Sequence, residues 1–131
     1  MITDWYRGTV VSVLLREVGH EAVLDSLEAA PAAGIGAPTL VETGIVLVAR
    51  LGIIGKTLLA RFCDEAGLTA VPFGPEHWPL AVDAYIRYGR GRHPAALSFG
   101  DCLTYAVCRL ADQPLLCIGD DFARTDLDLV R

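Results

Sequence analysis

Short apolar runs alternate along this chain with longer segments whose apolar residues recur at helical spacing. The short runs predict strands at 1–4, near 34–38, at 68–73, at 114–118 and, at the edge, over 127–130. The longer segments predict helices over 9–17, 20–30, 53–66 and 75–88, and two more that begin near Thr39 and Ser98. Strands that alternate with helices form βαβ units, so we expect an α/β fold with a central parallel sheet of four to five strands.

Two of the predicted helices begin with a capping-box pattern, in which a hydroxyl side chain precedes an acidic one by three positions. Thr39 and Glu42 form the first pair, and Ser98 and Asp101 form the second. Acidic side chains in a first turn cap the helix and interact favourably with its dipole. For either acid alone, a purely structural role is therefore the ordinary interpretation.

Four acidic residues lie where a predicted strand ends or a predicted helix begins: Asp4, Glu42, Asp101 and Asp121. Because ligands of parallel sheets bind beyond the carboxyl ends of the strands, we expect all four to converge on one edge. Carboxylates that are brought together repel one another, and a hard divalent cation with a preference for oxygen ligands relieves that repulsion. The pattern predicts a Mg²⁺ site, in which Mn²⁺ is expected to substitute, and a metal-dependent phosphodiesterase.

Composition limits the alternatives. A chain of 131 residues with 53% hydrophobic and 21% charged residues is expected to form one globular domain over 1–131. No apolar run approaches the roughly 18 residues of a membrane span, and the N-terminus lacks the pattern of a signal peptide, so we expect a cytoplasmic protein without a membrane partner. The net charge of −5 argues against a protein that binds nucleic acid by charge alone, but not against an enzyme whose metal ions supply positive charge.

Several motifs occur in the order and spacing of a known family. Residues 88–102 read Tyr-Gly-Arg-Gly-Arg-His-Pro-Ala-Ala-Leu-Ser-Phe-Gly-Asp-Cys, residues 119–122 read Gly-Asp-Asp-Phe, and residues 125–127 read Thr-Asp-Leu. Upstream, residues 40–42 read Leu-Val-Glu. These motifs resemble those of VapC-type toxins of the PIN-domain family, and the resemblance spans roughly residues 9–131. It implies a three-layer α/β/α PIN domain.

The resemblance also implies an activity. VapC-type toxins are magnesium-dependent endoribonucleases of type II toxin–antitoxin systems, which hydrolyse RNA phosphodiester bonds with a metal-activated water and are inhibited by a cognate VapB-type antitoxin. Carried over to this sequence, Glu42, Asp101 and Asp121 are the expected catalytic residues, and Asp4, Asp101 and Asp121 are the expected metal ligands. The resemblance implies a homodimer or a toxin–antitoxin hetero-oligomer, and the apolar stretches of 40–60 offer surface for such an interface.

Further charged residues lie close to these acids. Arg90, Arg92 and His93 belong to a basic loop before Asp101, and we interpret them as a clamp for RNA phosphates, with a solvated loop as the alternative. Two secondary acids are expected: Asp120 is a solvated turn residue or a weaker second ligand, and Asp126 is a helper carboxylate or an exposed turn acid.

The N-terminus departs from the family pattern. The family's first strand ends in an aspartate followed by small residues, whereas alignment on the first helix places Tyr6 at the aspartate position and residues 6–9 read Tyr-Arg-Gly-Thr. Asp4 serves as the first ligand only if the loop carries about two extra residues. The alternative function is therefore a catalytically degenerate PIN-like protein that binds antitoxin or RNA without cleavage.

Overall fold

Five short strands, all parallel, form one sheet at the centre of the protein. The computed structural model describes residues 1–3, 13–16, 20–30, 32–117 and 120–130. The sheet has the order β3-β2-β1-β4-β5, with β1 at Ile2–Thr3, β2 at Ala33–Gly36, β3 at Leu68–Val71, β4 at Leu115–Leu116 and β5 at Leu129–Val130. Each pair of neighbouring strands is parallel, which confirms the predicted α/β class and the upper end of the predicted strand number.

Helices connect the strands on both sides of the sheet. They are α1 at His20–Ala29, α2 at Ala37–Leu51, α3 at Ile54–Ala66, α4 at His77–Tyr88 and α5 at Phe99–Ala111, and residues 13–15 are also helical. Gly52 and Gly67, with φ of 82° and 68°, end α2 and α3 in conformations that favour glycine. In the part of the chain that the structure describes, none of the helices combines the length and apolarity needed to cross a membrane.

The sheet separates two apolar clusters, because alternate residues of a strand point to opposite faces. Ile2 and Leu115 pack on one face with residues of α4 and α5, including Ala84 and Val107. The opposite face, which includes Ile35 and Leu116, packs with residues of α1, α2 and α3, among them Leu27, Leu47 and Phe62. The expected three-layer arrangement is therefore confirmed.

Two glycines of β2 let neighbouring elements approach this strand closely. A Cβ atom at Gly36 would lie 3.1 Å from Val107 Cγ2 of α5, and one at Gly34 would lie 3.0 Å from Val71 Cγ2. Such distances are tighter than ordinary van der Waals contact, so larger residues would push these elements apart. Gly36 thus keeps α5 against the carboxyl end of β2, where the candidate site lies.

The start of α2 differs from the prediction. The helix begins at Ala37, with Pro38 in its first turn and Gly36 as an N-cap that makes no side-chain hydrogen bond. Proline favours a first helical turn, so the helix starts two residues before Thr39. The Thr39 hydroxyl instead lies 3.2 Å from the Thr104 hydroxyl of α5 in the protein interior. The predicted capping box at Thr39 and Glu42 is wrong, and Glu42 lies in the second turn of α2 rather than at its N-terminus.

Candidate functional site

Asp101 is held at the N-terminus of α5 by the predicted capping box. Its Oδ2 accepts a hydrogen bond from the backbone N–H of Ser98 at 2.9 Å, and its own backbone N–H donates to Ser98 Oγ at 3.2 Å. The residue is only 3% exposed. Among the described residues, no hydrogen-bond donor reaches its second oxygen, Oδ1, which is also buried. One oxygen of this carboxylate therefore has a structural role, and the other is a buried acceptor that no described donor satisfies.

The surroundings of Asp101 disfavour its negative charge. Burial is the main cause that raises the pKa of Asp101, and the nearby carboxylate of Asp121 raises it further. The hydrogen bonds from Ser98 and the positive charge of Arg90 act in the opposite direction but do not reverse the shift. An ionised Asp101 is therefore costly in the metal-free protein, and a cation beside it would stabilise the ionised form.

Glu42 reaches the same helix end from α2. A Cβ atom placed on Gly100 would lie 2.7 Å from each carboxylate oxygen of Glu42, so the carboxylate packs directly against the backbone of the residue before Asp101. Only glycine leaves room for this approach. Glu42 is thus brought to the N-terminus of α5, although it does not lie at the N-terminus of its own helix.

Asp121 completes the acidic surface from the turn that follows β4. A cavity of about 350 Å³ opens between this turn, the loop before α5 and the first turn of α5. Its charged lining consists of two arginines and three aspartates, namely Arg90, Arg124, Asp101, Asp120 and Asp121. Carboxylates and guanidinium groups thus share one opening, as a site for a cation and a phosphodiester requires.

Asp126 lies in a different environment. Its Oδ1 accepts a hydrogen bond from the Tyr105 hydroxyl at 2.8 Å, and its Oδ2 lies 3.5 Å from Arg87 Nη1 and 4.0 Å from Arg109 Nη1. Partial burial by itself would raise the pKa of Asp126, but the hydrogen bond from Tyr105 and the two arginines outweigh it and lower the pKa. Both carboxylate oxygens thus face positively charged or hydroxyl groups.

The basic loop divides between two surroundings. Arg90 lines the acidic cavity. Arg92 instead lies over the Tyr85 ring, 5.7 Å from its centroid, and donates to the Ile86 carbonyl oxygen at 3.3 Å. His93 Nδ1 accepts a hydrogen bond from the Ala95 backbone N–H at 3.0 Å, and the His93 ring packs edge-on against Tyr88. These contacts fold the loop back onto α4.

The fold and the acidic edge can be compared with known proteins. A family model described as "PIN domain" matches residues 8–127. The chain belongs to the PIN-domain family. It is 43% identical over 129 residues to Ribonuclease VapC36 of Mycobacterium tuberculosis, a match that covers 98% of this chain and 91% of that protein. It is 33% identical over 123 residues to Ribonuclease VapC of Mycolicibacterium smegmatis, a match that covers 94% of this chain and 95% of that protein. The resemblance to VapC-type proteins is therefore confirmed.

Solved structures have the same fold as this PIN domain. The Mycobacterium tuberculosis toxin VapC20, described as cleaving the sarcin-ricin loop, superposes with a TM-score of 0.74 over 99% of this chain and 98% of its own, at 18% identity. A chain of a toxin–antitoxin complex from Klebsiella pneumoniae superposes with a TM-score of 0.68 over 98% and 95%, at 17% identity. At such identities the likeness concerns the fold.

The PIN domain brings most of the acids predicted from the sequence to one edge. Asp101, Asp120 and Asp121 line the cavity, and Glu42 packs against the first turn of α5 beside it. Asp4 lies outside the described residues. Within the described ranges, no three acidic, histidine or cysteine side chains are arranged to hold a metal ion. Of the three ligands that the sequence predicts, the described part contains Asp101 and Asp121.

A divalent cation nevertheless fits the residues at this edge. The buried Oδ1 of Asp101 has no donor among the described residues, and the neighbouring carboxylate of Asp121 repels it. An oxygen-rich, negatively charged donor set of this kind suits Mg²⁺ or Mn²⁺ better than soft metals.

Arg124 is a cavity residue that the sequence patterns did not reveal. It lies three residues after Asp121, within the same turn, and lines the cavity together with Arg90. Its spacing from Asp121 in the sequence could have indicated that the two residues are neighbours, because residues three apart in a tight turn lie close together. The cavity thus has arginines on both of its loops.

Proposed function

We propose that this PIN domain is a Mg²⁺-dependent endoribonuclease toxin of a type II toxin–antitoxin module. The observation that carries the proposal is the buried Oδ1 of Asp101, which has no hydrogen-bond donor among the described residues and belongs to a residue that lines a cavity together with Asp121. The similarity to proteins named VapC ribonucleases, over nearly the whole chain, supports RNA as the substrate. A cytoplasmic location, where RNA is abundant, belongs to the same proposal.

In this proposal the side chains at the acidic edge have different roles. Asp101 and Asp121, together with Asp4, would hold the ion, and the carboxylate of Glu42, which packs against the N-terminus of α5, would act on the same site. When bound, Mg²⁺ would supply an acidified water and positive charge for the phosphoryl oxygens. Hydrolysis adds one water across the P–O3′ bond, so that its oxygen remains on a 5′-phosphate and a proton passes to the 3′-hydroxyl.

The RNA backbone would be held by the arginines of the cavity. Arg90 and Arg124 lie on two different loops around the carboxylates, and arginine forks match the geometry of phosphate oxygens. Arg92 and His93 are proposed to support the loop that carries Arg90 rather than to contact RNA directly, because they make contacts with α4 and the loop backbone. Of the three residues of the predicted phosphate clamp, the proposal keeps Arg90 as a direct phosphate contact. It adds Arg124, which the sequence did not indicate.

A VapB-type antitoxin is the proposed protein partner. Val41 and Ile45 of α2 are 61% and 64% exposed, and they line an apolar groove of about 580 Å³ between α2 and α3. Exposed apolar surface of this extent is typical of interfaces. A second apolar face, on α4, carries Trp78, Val82 and Ile86 and is the proposed surface for a homodimer or hetero-oligomer. Trp78 is 61% exposed and is not a core residue, so its indole is accessible for such a contact.

Analysis of the cleavage products tests the proposed chemistry. Purified, antitoxin-free protein is incubated with total cellular RNA and Mg²⁺, and the new RNA ends are identified by ligation and by phosphatase treatment. The proposal predicts 5′-phosphate and 3′-hydroxyl ends. Ends that carry a 2′,3′-cyclic phosphate would contradict it, because they arise when the RNA's own 2′-hydroxyl attacks without added water.

The degenerate, binding-only function has one observation in its favour, namely the altered sequence Tyr-Arg-Gly-Thr at residues 6–9. Metal binding separates the two functions. An active site predicts that Mg²⁺ or Mn²⁺ raises the melting temperature and that Asp101→Asn removes the increase. A folded protein that binds antitoxin, shows no metal-induced increase and cleaves no RNA would favour the degenerate function.

A further inference from the structure

A network of hydrogen bonds and ion pairs surrounds Asp126 on the side of the sheet where α4 and α5 pack. The Tyr105 hydroxyl donates to Asp126 Oδ1 at 2.8 Å, while Arg87 Nη1 lies 3.5 Å from Asp126 Oδ2. Arg87 also donates to the Tyr88 hydroxyl at 2.8 Å, and Arg109 Nη1 lies 4.0 Å from Asp126 Oδ2. We call these five residues the Asp126 network. It occupies both oxygens of Asp126, which leaves this carboxylate poorly suited to be a metal ligand itself.

The network joins the two segments that carry the central acids of the site. Tyr105 lies four residues after Asp101 on α5, which places the two side chains on the same face of that helix, one turn apart. Asp126 lies five residues after Asp121. The hydrogen bond between Tyr105 and Asp126 therefore ties the helix of Asp101 to the turn of Asp121.

Hydrogen bonds within the segment 120–126 hold it rigid. Fixing Asp126 therefore also restrains the position of Asp121. The Thr125 hydroxyl donates to the Phe122 carbonyl oxygen at 2.7 Å, and the Ala123 N–H donates to the Asp120 carbonyl oxygen at 3.1 Å. Phe122, next to Asp121, is buried in the same apolar cluster as Tyr105. Asp121 therefore cannot change its distance from α5 without disturbing this braced segment.

A tether is needed at this place because Asp101 and Asp121 repel each other. We propose that Asp126 is a positioning residue, which acts through Tyr105 to hold Asp121 at a fixed separation from Asp101 and thereby sets the affinity of the site for a divalent cation. The inference rests on the proposed metal-binding function. It assigns to the Thr-Asp-Leu motif a role in spacing the metal ligands, in place of the helper carboxylate or exposed turn acid that the sequence leaves open.

Calorimetric titration of the full-length protein with Mn²⁺ tests the inference without reference to activity. Tyr105→Phe removes only the hydroxyl and leaves the ring packed beside Tyr88. It is expected to weaken Mn²⁺ affinity by about 10-fold, the lower end of what loss of an outer-shell partner costs. Asp126→Ala should have at least the same effect. Asp126→Asn should have a smaller one, because its amide oxygen can still accept from Tyr105.

A control variant separates positioning from general loss of stability. Phe62→Leu reduces packing in the apolar cluster on the other face of the sheet. It should lower the melting temperature and leave Mn²⁺ affinity unchanged. In cleavage assays, Tyr105→Phe should raise the Mn²⁺ concentration needed for half-maximal rate by the same factor as it weakens affinity, and it should leave the rate at saturating Mn²⁺ within about 2-fold of wild type.

The possible results are distinguishable. Wild-type affinity in Tyr105→Phe would overturn the inference, as would equal weakening in Phe62→Leu, because the network would then only support the fold. Absence of Mn²⁺ binding by the folded wild-type protein would overturn the proposed metal-binding function and the inference with it. Weakening confined to the variants of Tyr105 and Asp126 would establish the positioning role.

Discussion

Ser98 and Asp101 hold each other through two hydrogen bonds, and the pair uses only one oxygen of the aspartate. The Ser98 backbone N–H donates to Asp101 Oδ2 at 2.9 Å, and the Asp101 backbone N–H donates to Ser98 Oγ at 3.2 Å. A helix cap and the proposed ligand oxygen are therefore combined in one side chain, because Oδ2 fixes the rotamer that leaves Oδ1 buried and without a donor among the described residues.

Neutralising Asp101 should stabilise the metal-free protein at neutral pH. Because the folded state raises the pKa of Asp101, it retains this proton at pH values where the unfolded chain has lost it. Stability therefore falls as pH rises from the unfolded pKa, about 4, through the higher folded pKa, and it stays reduced above that. In Asp101→Asn this loss of stability with rising pH does not occur, because asparagine does not titrate. Its amide oxygen can still accept the hydrogen bond from the Ser98 backbone N–H. In the presence of a chelator, the variant should melt at a higher temperature than wild type at pH 7, and the difference should shrink in acid.

Ser98→Ala provides the matched control for the cap. It removes the hydroxyl acceptor while leaving the Asp101 carboxylate in place, so it should lower stability by about 1 kcal/mol. The melting temperature should still increase on addition of Mn²⁺. If Asp101→Asn destabilised the metal-free protein by as much as Ser98→Ala at neutral pH, Asp101 would act mainly as a cap.

Gly100→Ala should affect metal binding more than stability. The added methyl group would lie 2.7 Å from both oxygens of Glu42, and the flexible glutamate side chain can move away at little cost. Alanine also favours a helix over glycine by about 0.5–1 kcal/mol, which offsets part of that cost. We expect nearly unchanged unfolding by urea but cleavage reduced by about 10-fold, the range in which outer-shell changes act.

Gly44→Ala is the control for the Gly100 variant, because it adds the same methyl group to α2. Its nearest neighbour would be Leu59 Cδ2 at 3.6 Å, an ordinary contact. This variant should be as stable as wild type or slightly more stable, with normal cleavage. Equal activity of both variants would show that the position of Glu42 does not matter to the reaction.

Arg90→Gln and Arg124→Gln should weaken RNA binding, because both residues line the cavity beside the carboxylates. Each lost phosphate contact should reduce the slope of log affinity against log salt concentration by about 0.7. Binding is measured with catalytically inactive Asp101→Asn protein, so that the RNA stays intact. Arg92→Gln is the comparison, and its slope should remain close to that of the parent. An equal reduction in all three variants would restore the broader clamp predicted from the sequence.

Ile45→Asp should impair antitoxin binding and leave the fold intact. Ile45 is 64% exposed and lines the apolar groove between α2 and α3, so a buried partner side chain would lose its contact and face a charge. Affinity measured by calorimetry should fall by about 30-fold or more, a loss of about 2 kcal/mol. Val82→Asp on α4 is the matched control. A larger effect of Val82→Asp would place the antitoxin on α4 instead.

Local signals predicted those parts of the fold whose causes are themselves local. The capping box at Ser98 and the helix between Gly52 and Gly67 appear where the sequence placed them, because each depends on a few neighbouring residues. The pattern at Thr39 failed because its hydroxyl pairs with Thr104, which is 65 residues away. Pro38, next to Thr39, was the local signal for the earlier helix start.

The candidate site could be predicted only in part for the same reason. The convergence of Asp101 and Asp121 follows from the parallel sheet, which the alternation of strands and helices predicts. The approach of Glu42 to Gly100 depends on how closely α2 and α5 pack, and the pairing of Asp126 with Tyr105 depends on tertiary contact. No spacing in the sequence encodes such contacts.

Cleavage of total cellular RNA by purified, antitoxin-free protein, with Mg²⁺ or with a chelator, tests the central claim most directly. Wild type is compared with Asp101→Asn and Asp4→Asn, each first verified as folded. The account predicts cleavage by wild type that requires the metal and falls by more than about 100-fold in Asp101→Asn. Loss in Asp4→Asn as well would identify Asp4 as a ligand. Undiminished cleavage by Asp101→Asn, or wild-type cleavage that persists in the chelator, would contradict the account.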